Sequence, residues 1–160
     1  MKIAFASEFC SFPLMQEVKQ RLVEKGHDIL DLGMQSADRP LLFYEIAPRV
    51  AEAVQRGEAE RGIMACGTGM GVCIIANKYK GIYAGLAESA TSARLCYVIN
   101  RANILCFGGW MIGKLQAFDM VDAYLSATIG QGFSEERRKV QADGFAKVLE
   151  IENRNFPRET

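Results

Sequence analysis

Histidine is nearly absent from this chain, which has one histidine among its 160 residues. That residue, His27, lies in the segment EKGHDI, between a predicted helix and the next predicted strand. Such a turn lies at the amino edge of a parallel sheet, whereas ligands usually bind at the carboxyl edge. We therefore predict that His27 is a surface or turn residue. A histidine-based catalytic group and a histidine-rich zinc site are both disfavoured, and we predict neither a metal nor a cofactor.

Net charge and long apolar runs are also missing. Lys+Arg and Asp+Glu both number 19, so the formal net charge is zero. This argues against a nucleic-acid surface, because such a surface needs a concentrated basic face. No segment approaches the length that crosses a membrane, and the apolar run in MKIAFASEF is too short for a signal peptide. We expect neither a nucleic-acid partner nor a membrane partner.

The cysteines lack the pattern of a disulfide framework. There are five of them, an odd number, and no two have CxxC spacing. Such usage is typical of reduced thiols. We therefore predict a cytoplasmic protein.

Strand-like and helix-like segments alternate along the chain, which is long enough to form one domain over residues 1–160. Short apolar strands are predicted at 2–6, 28–32, 62–65, 82–86 and 104–107. Each is followed by an amphipathic helix; the helix near Gly113 is predicted to face inward through Leu115, Phe118, Val121 and Leu125. This alternation predicts an α/β fold with a five-stranded parallel sheet and helices on both faces. The loops after strands one, three, four and five are expected at the edge that holds the site.

The last predicted helix, about 134–156, differs from the others. It is long, charged on one side, and follows the segment Gly130-Gln131-Gly132. We predict that it packs on a partner subunit. Burial within its own domain is the alternative.

A cysteine and a glycine-rich loop follow the third strand. Cys66 is followed by Gly67-Thr68-Gly69-Met70-Gly71, and then by a helix. Three glycines remove Cβ atoms from the turn, so that a ligand can approach the backbone. The N–H groups that open the helix have no intrahelical partners, which makes the loop a candidate cradle for an anion or oxyanion. A cysteine in that field is expected to have thiolate character, and we interpret Cys66 as a catalytic base or nucleophile.

Three other glycine-loop chemistries fail on named features. A dinucleotide fingerprint has GxGxxG after the first strand, where this chain has no glycine, and a nucleotide P-loop needs a lysine that is absent here. A cysteine phosphatase has an arginine six positions after the cysteine, at a position that is Val72 here. Proton transfer next to a carbonyl remains, with a thiolate base and with Thr68 and backbone amides stabilising the enediolate. The structural alternative is that Cys66 is only a small buried residue at a strand end.

The chain resembles the type B ribose-5-phosphate isomerase and galactose-6-phosphate isomerase family. The segments that carry the resemblance are KIAFASEF, DLG, CGTGMG, ANKYKGI, INRAN and ILCFGG. The resemblance implies a Rossmann-like, three-layer α/β/α sandwich, assembled as a homodimer or homotetramer with active sites shared between subunits. It also implies aldose–ketose isomerisation through an enediolate. Cys66 would move the proton between C1 and C2, and the glycine loop would hold the oxyanion.

The chain departs from the family pattern around this loop. Glu8-Phe9 stands where the family has Asp-His, and Ile99 replaces the histidine associated with ring opening, although Asn100 remains. Trp110 and Phe133 replace two arginines. Arg137 matches a further arginine of the family.

These departures change the expected substrate. Aromatic rings cannot replace the charged contacts of a phosphate site, but they stack on the C–H faces of sugars. Either the sugar is unphosphorylated or differently shaped, or Arg101 and Arg137 bind its phosphate in another position. Loss of the ring-opening histidine favours a substrate that is already open-chain, such as a tetrose derivative, or one whose ring opens unaided, over ribose 5-phosphate.

We therefore predict a metal-independent aldose–ketose isomerase acting on a small sugar or sugar phosphate. The predicted catalytic residues are Cys66, Thr68 and Glu8, and the predicted substrate-binding residues are Gly67, Gly69, Met70, Gly71, Asn100, Phe9, Arg101, Trp110, Phe133 and Arg137. The alternative is a non-catalytic sugar-binding subunit of the same family, or one chain of a hetero-oligomer. Galactose-6-phosphate isomerase, built from two unlike chains, is the precedent for this alternative.

Overall fold

Five parallel strands form the centre of the computed structural model, which describes residues 1–156. The strands are β1 (Lys2–Ser7), β2 (Asp28–Asp31), β3 (Arg61–Cys66), β4 (Ala84–Leu86) and β5 (Ile104–Gly108). Their order across the sheet is β2-β1-β3-β5-β4, and every neighbouring pair is parallel. The predicted α/β class and the five-stranded parallel sheet are therefore confirmed.

Helices cover both faces of this sheet. They are α1 (Phe12–Glu24), α2 (Phe43–Gln55), α3 (Met70–Ala76), α4 (Ala90–Val98), α5 (Lys114–Leu125) and α6 (Glu135–Asn155). One buried cluster joins the sheet to α1, α4 and α5, and a second joins it to α2 and α3. This arrangement is the three-layer α/β/α sandwich that was predicted.

The strand order places a topological switch point between β1 and β3. The chain moves outward from β1 to β2, and then returns to the other side of β1 to form β3. In open α/β sheets, ligands bind outside the carboxyl ends of the strands at such a point. Ser7 at the end of β1 and Cys66 at the end of β3 therefore mark the expected position of a site.

Two predictions need correction, one on the boundary of a strand and one on the direction of a side chain. Residues 82–83 were predicted as part of the fourth strand, but Ile82 donates its N–H to the carbonyl of Tyr79 in a turn, and Tyr83 donates its N–H to the Asn103 side chain. Leu115 was predicted to face inward but is 75% exposed. It lies on the first turn of α5, where the buried side begins only at Ala117.

Helix α6 lies outside both buried clusters. None of its 21 residues is buried. Near its end, Glu152 accepts hydrogen bonds from the Gly81 N–H at 2.7 Å and from the Tyr83 hydroxyl at 3.0 Å. Burial and this carboxylate raise the pKa of Tyr83 to about 12. The helix therefore contacts its own sheet edge, while Val140, Val148, Leu149 and Ile151 remain exposed.

No helix within residues 1–156 is both long and apolar enough to cross a membrane. The same residues contain no group of three or more His, Cys, Asp or Glu side chains arranged to hold a metal ion.

Candidate active site

Cys66 is the last residue of β3 and lies under the glycine loop. Its side chain is almost fully buried, with 6% of the residue exposed. The Gly69 N–H donates a hydrogen bond to Cys66 Sγ at 3.1 Å, and the Cys66 carbonyl accepts one from the Gly109 N–H at 2.8 Å. The loop thus folds back over the thiol, and a backbone donor already faces the sulfur.

The backbone of the loop requires glycine at position 69. Gly69 has a φ of +77° and immediately precedes α3. A Cβ atom there would lie 2.5 Å from the carbonyl carbon of Phe107 in β5. Since α3 has only seven residues, the individual N–H groups of the loop matter more here than the dipole of a long helix. The Thr68 hydroxyl accepts the Met70 N–H at 3.3 Å, which places Thr68 inside this turn.

Two aromatic rings flank the loop. The ring of Trp110 covers Gly67, where an added Cβ would lie 2.8 Å from Cε3 of the indole. The backbone N–H of Trp110 donates to the Gly67 carbonyl at 2.9 Å. The ring of Phe43 covers Gly71, where an added Cβ would lie 2.7 Å from Cδ2 of Phe43. The glycines at 67 and 71 therefore make room for protein rings.

Phe43 is a residue that sequence reasoning missed. It is the first residue of α2, which follows β2, and the loop after strand two was not among those expected at the site. A usable signal was present in Leu42-Phe43-Tyr44, because three consecutive large apolar residues cannot all face the core from one helix. All three are at least 39% exposed.

Glu8 follows β1 and lies beside the end of β3. Its N–H donates to the Ala65 carbonyl at 3.3 Å, its side chain is buried, and its Oε1 accepts the Cys10 N–H at 2.8 Å. Phe9, the next residue, is 57% exposed. Burial raises the pKa of the Cys10 thiol, and the Glu8 carboxylate raises it further.

Cys73 is a second thiol that could be suspected of acting as a base. Hydrogen bonding with Cys106 lowers the pKa of Cys73 to about 7. Its Sγ, however, lies 3.4 Å from the carbonyl of Ala84, the first residue of β4. Cys73 therefore faces β4 and Cys106 of β5, whereas the sulfur of Cys66 lies under the glycine loop.

The remaining predicted residues lie at the other end of the sheet. Asn100 and Arg101 lie in the segment between α4 and β5. Asn103 in the same segment accepts, through its carbonyl, the N–H of Gly62 at the start of β3, so this segment lies at the amino edge of the sheet. Asn100 and Arg137 line a cavity of about 500 Å³ between α6 and β4, and the Arg101 guanidinium stacks on a ring of α6, that of Phe145, at 4.6 Å.

Phe133 belongs to this second group. Its N–H donates to the Gly130 carbonyl at 3.2 Å, and the Gly130 N–H donates to the carbonyl of Val98 at the end of α4. The run of β3 from Arg61 to Cys66 separates the two edges by about 16 Å. Within one chain, Asn100, Arg101, Phe133 and Arg137 therefore do not meet Cys66, and their role in substrate binding stays a prediction.

The model of the ribose/galactose isomerase family matches residues 3–142. The chain belongs to this family. Among its members, the chain is 40% identical over 152 residues to 4-deoxy-4-sulfo-D-erythrose isomerase of Clostridium sp. (strain MSTE9), covering 95% of this chain and 96% of that protein. It is 39% identical over 136 residues to ribose-5-phosphate isomerase B of Escherichia coli (strain K12), covering 85% of this chain and 91% of that protein. The solved structure of ribose-5-phosphate isomerase B from Clostridium thermocellum has a TM-score of 0.88 at 34% identity, covering 98% of this chain and 100% of that one.

Proposed function

We propose that this protein interconverts an aldose and a ketose through an enediolate, and that its substrate is a four-carbon sugar with an anionic group at C4. Membership of the ribose/galactose isomerase family makes the chain a sugar isomerase. The 4-deoxy-4-sulfo-D-erythrose isomerase, similar along nearly its full length, supports the four-carbon substrate. The observation that carries the proposal is the Cys66 thiol under the glycine loop, with the Gly69 N–H 3.1 Å from its sulfur.

In the proposed reaction, Cys66 acts as the base. Its thiolate removes the proton from C2 of the open-chain aldose, and the carbonyl oxygen at C1 gains the negative charge. The proton of the C2 hydroxyl moves to that oxygen, and the thiol returns its proton to C1, which gives the 2-ketose. Loop N–H groups and Thr68 stabilise the charged oxygen, because preorganised donors are most effective where charge develops. We assign the binding of a sugar hydroxyl to Glu8, a buried residue whose N–H pairs with the carbonyl of Ala65, the residue before Cys66.

The four-carbon substrate also accounts for the missing histidine. A tetrose whose C4 oxygen is replaced or esterified has no O4 with which to close a five-membered ring. Its aldehyde therefore reaches the site open, and no acid is needed to open a ring. In this chain the ring-opening position is Ile99, and the only histidine, His27, precedes β2 at the amino edge.

We further propose that two copies of the chain build each site. In one chain, Asn100 and Arg137 lie at the edge of the sheet opposite Cys66, and the length of β3, about 16 Å, separates the two edges. A second copy is therefore needed to bring these residues to Cys66. The exposed apolar side chains of α6, among them Val140, Val148 and Ile151, support a contact of α6 with that copy. Arg137 of one copy would then face the anionic end of the sugar held by Cys66 of the other, since arginine matches phosphate-like groups.

A reducing compartment suits the proposed base. All five cysteines, which fall within residues 1–156, are free thiols, and Cys66 must stay reduced to exchange a proton. We therefore propose that the protein works in the cytoplasm.

The decisive experiment is a substrate panel followed by NMR in D2O. The purified protein is incubated with four-carbon and five-carbon aldoses. The tetrose is tested free, 4-phosphorylated and 4-sulfonated, and the pentose is tested free and 5-phosphorylated. With the four-carbon anionic sugars, we expect deuterium incorporation and ketose formation. In Cys66→Ala both should fall by roughly a thousandfold or more, as is typical when a catalytic proton acceptor is removed. Cys73→Ala, which removes the other candidate thiolate, is the matched control and should keep its activity. Equal activity in wild type and Cys66→Ala would refute the mechanism.

A second function is favoured by the separation of the two residue groups. A site that is incomplete in one chain can also be completed by an unlike chain, so the protein could serve as one subunit of a hetero-oligomer. The same panel separates the two functions. A homomeric protein that binds the sugars but exchanges no proton in any of them would exclude the homomeric isomerase and leave a sugar-binding subunit or one chain of a hetero-oligomer.

A further inference from the structure

The two rings beside the glycine loop have no structural task that explains their position. Trp110 packs on Gly67 and Phe43 packs on Gly71, yet Trp110 is 70% exposed and Phe43 is 39% exposed. Core aromatic residues are almost fully covered, whereas these rings contact the loop and remain partly exposed to solvent. Exposed apolar surface beside a reactive group is characteristic of a binding site.

Trp110 and Phe43 each make a further contact beside the loop. The backbone N–H of Trp110 donates to the Gly67 carbonyl at 2.9 Å. The ring of Phe43 packs edge to face against Tyr44, with 5.4 Å between the ring centroids and 77° between the planes. Positions 67 and 71 accept no side chain without displacing a ring, because an added Cβ would come within 2.8 Å of ring atoms at each. The rings therefore form walls at the two ends of the loop.

We propose that Trp110, with Phe43 at the other end of the loop, limits the length of the sugar that the site accepts and selects four carbons over five. This inference rests on the proposed function and deepens it. The reacting C1 and C2 must lie close to Cys66 Sγ and to the loop donors, so the rest of the sugar must extend between the two walls. A short sugar stacks its C–H face on the open face of the indole, whereas an additional CHOH unit meets a ring.

The single tryptophan of the chain makes binding directly measurable. Because Trp110 is the only tryptophan, its fluorescence reports this wall alone. In Cys66→Ala, which binds without turnover, a four-carbon aldose 4-phosphate should shift the emission at a concentration at least about tenfold lower than a five-carbon aldose 5-phosphate does, since one carbon unit in a fitted pocket typically changes selectivity tenfold or more. Equal response to both sugars would overturn the proposal.

Activity gives the second readout. The selectivity is the ratio of kcat/KM for the four-carbon sugar to kcat/KM for the five-carbon sugar. Trp110→Ala should lower this ratio by at least about tenfold, and Phe43→Ala should also lower it. Trp110→Phe should keep most of the selectivity. Val23→Ala, which truncates an apolar side chain 51% exposed near the end of α1, is the control and should leave the ratio unchanged.

The outcomes separate this inference from the proposed function. If wild type isomerises the four-carbon sugar but Trp110→Ala has the same selectivity, only the role of Trp110 is wrong. If wild type isomerises neither sugar but the emission still discriminates between them, the wall stands and the proposed reaction is wrong. Emission that responds to protein dilution and not to sugar would assign Trp110 to a contact between copies and overturn the inference.

Discussion

At the residue scale, the three glycines of the loop perform two different tasks. Gly69 is required by the backbone, because its φ is +77° and its Cα hydrogen faces the main chain of Phe107. Gly67 and Gly71 are required by side chains, because each is covered by an aromatic ring. Substitutions at these positions should therefore fail for different reasons. At position 69 a side chain would collide with the main chain of the fold. At positions 67 and 71 it would collide with aromatic rings of the candidate site.

Gly69→Ala should destabilise the protein strongly. The left-handed backbone costs an L-residue about 1–2 kcal/mol, and the contact with the β5 main chain adds to this, so we expect the free energy of unfolding to fall by at least about 2 kcal/mol. Urea unfolding measures the change. Gly144→Ala is the control, because Gly144 lies within α6 with nothing near its added Cβ and alanine favours a helix by about 0.5–1 kcal/mol. Equal stability of the two variants would show that the turn tolerates a Cβ.

At the element scale, one buried arginine joins the start of β3 to the end of α5. Arg61 is 8% exposed, and its guanidinium donates to the carbonyls of Tyr124, Leu125 and Ala127. It also stacks on the ring of Tyr97 in α4 at 3.6 Å. The carbonyls at a helix end lack intrahelical donors, so this planar side chain closes α5 and fixes it against α4. The arginine sets the position of the strand that ends at Cys66.

Arg61→Lys should weaken this junction, although the charge is kept. An ammonium group cannot reach three carbonyls and stack on a ring at the same time, and each lost hydrogen bond to a charged group is worth about 1.5–3 kcal/mol. We expect the free energy of unfolding to fall by about 2 kcal/mol or more, as measured by thermal or urea unfolding. The matched control is Arg56→Lys, at an exposed arginine after α2 that pairs with Glu52 and Glu58, and it should leave stability unchanged. If both variants unfold alike, the stacked geometry of Arg61 is unimportant.

At the scale of the whole molecule, the residues predicted for one site lie at two opposite edges of the sheet. Cys66, Glu8 and Trp110 are at the carboxyl edge, and Asn100 and Arg137 border the cavity between α6 and β4. A single copy cannot bring these groups to one sugar. A symmetric pair can, because a two-fold axis presents the same two surfaces to each other twice.

Complementation between two inactive variants tests this arrangement. Cys66→Ala and Arg137→Ala are each expected to be inactive as homo-oligomers. When they are co-expressed or refolded together, half of the pairs are mixed, and each mixed pair contains one site with both residues intact. Activity should therefore return to about a quarter of the wild-type value.

The controls for this test are the same two variants mixed after purification without refolding, and a mixture of Cys66→Ala with wild type. Absence of any recovery in refolded mixtures of confirmed 1:1 composition would mean that Arg137 does not complete the site of another copy.

The sequence by itself determined the local features of this protein. The alternation of apolar strands with amphipathic helices predicted the sheet and both helical layers, because strand and helix periods are written in consecutive residues. The segment from Cys66 to Gly71 predicted a thiol beside a glycine turn for the same reason. Asn100 was predicted to bind the substrate together with the Cys66 loop. It precedes a strand, as His27 does, so the reasoning that placed His27 at the amino edge also applies to Asn100 but was not applied to it.

Only the tertiary structure decided what surrounds the thiol. The contacts of Trp110 with Gly67 and of Phe43 with Gly71 join residues that are far apart in the chain, and no local pattern encodes such a pair. The sequence interpretation held that these glycines admit a ligand, whereas the fold fills the space beside them with two rings. Packing between distant segments depends on the orientation of whole helices and loops, so it is fixed only when the chain is folded.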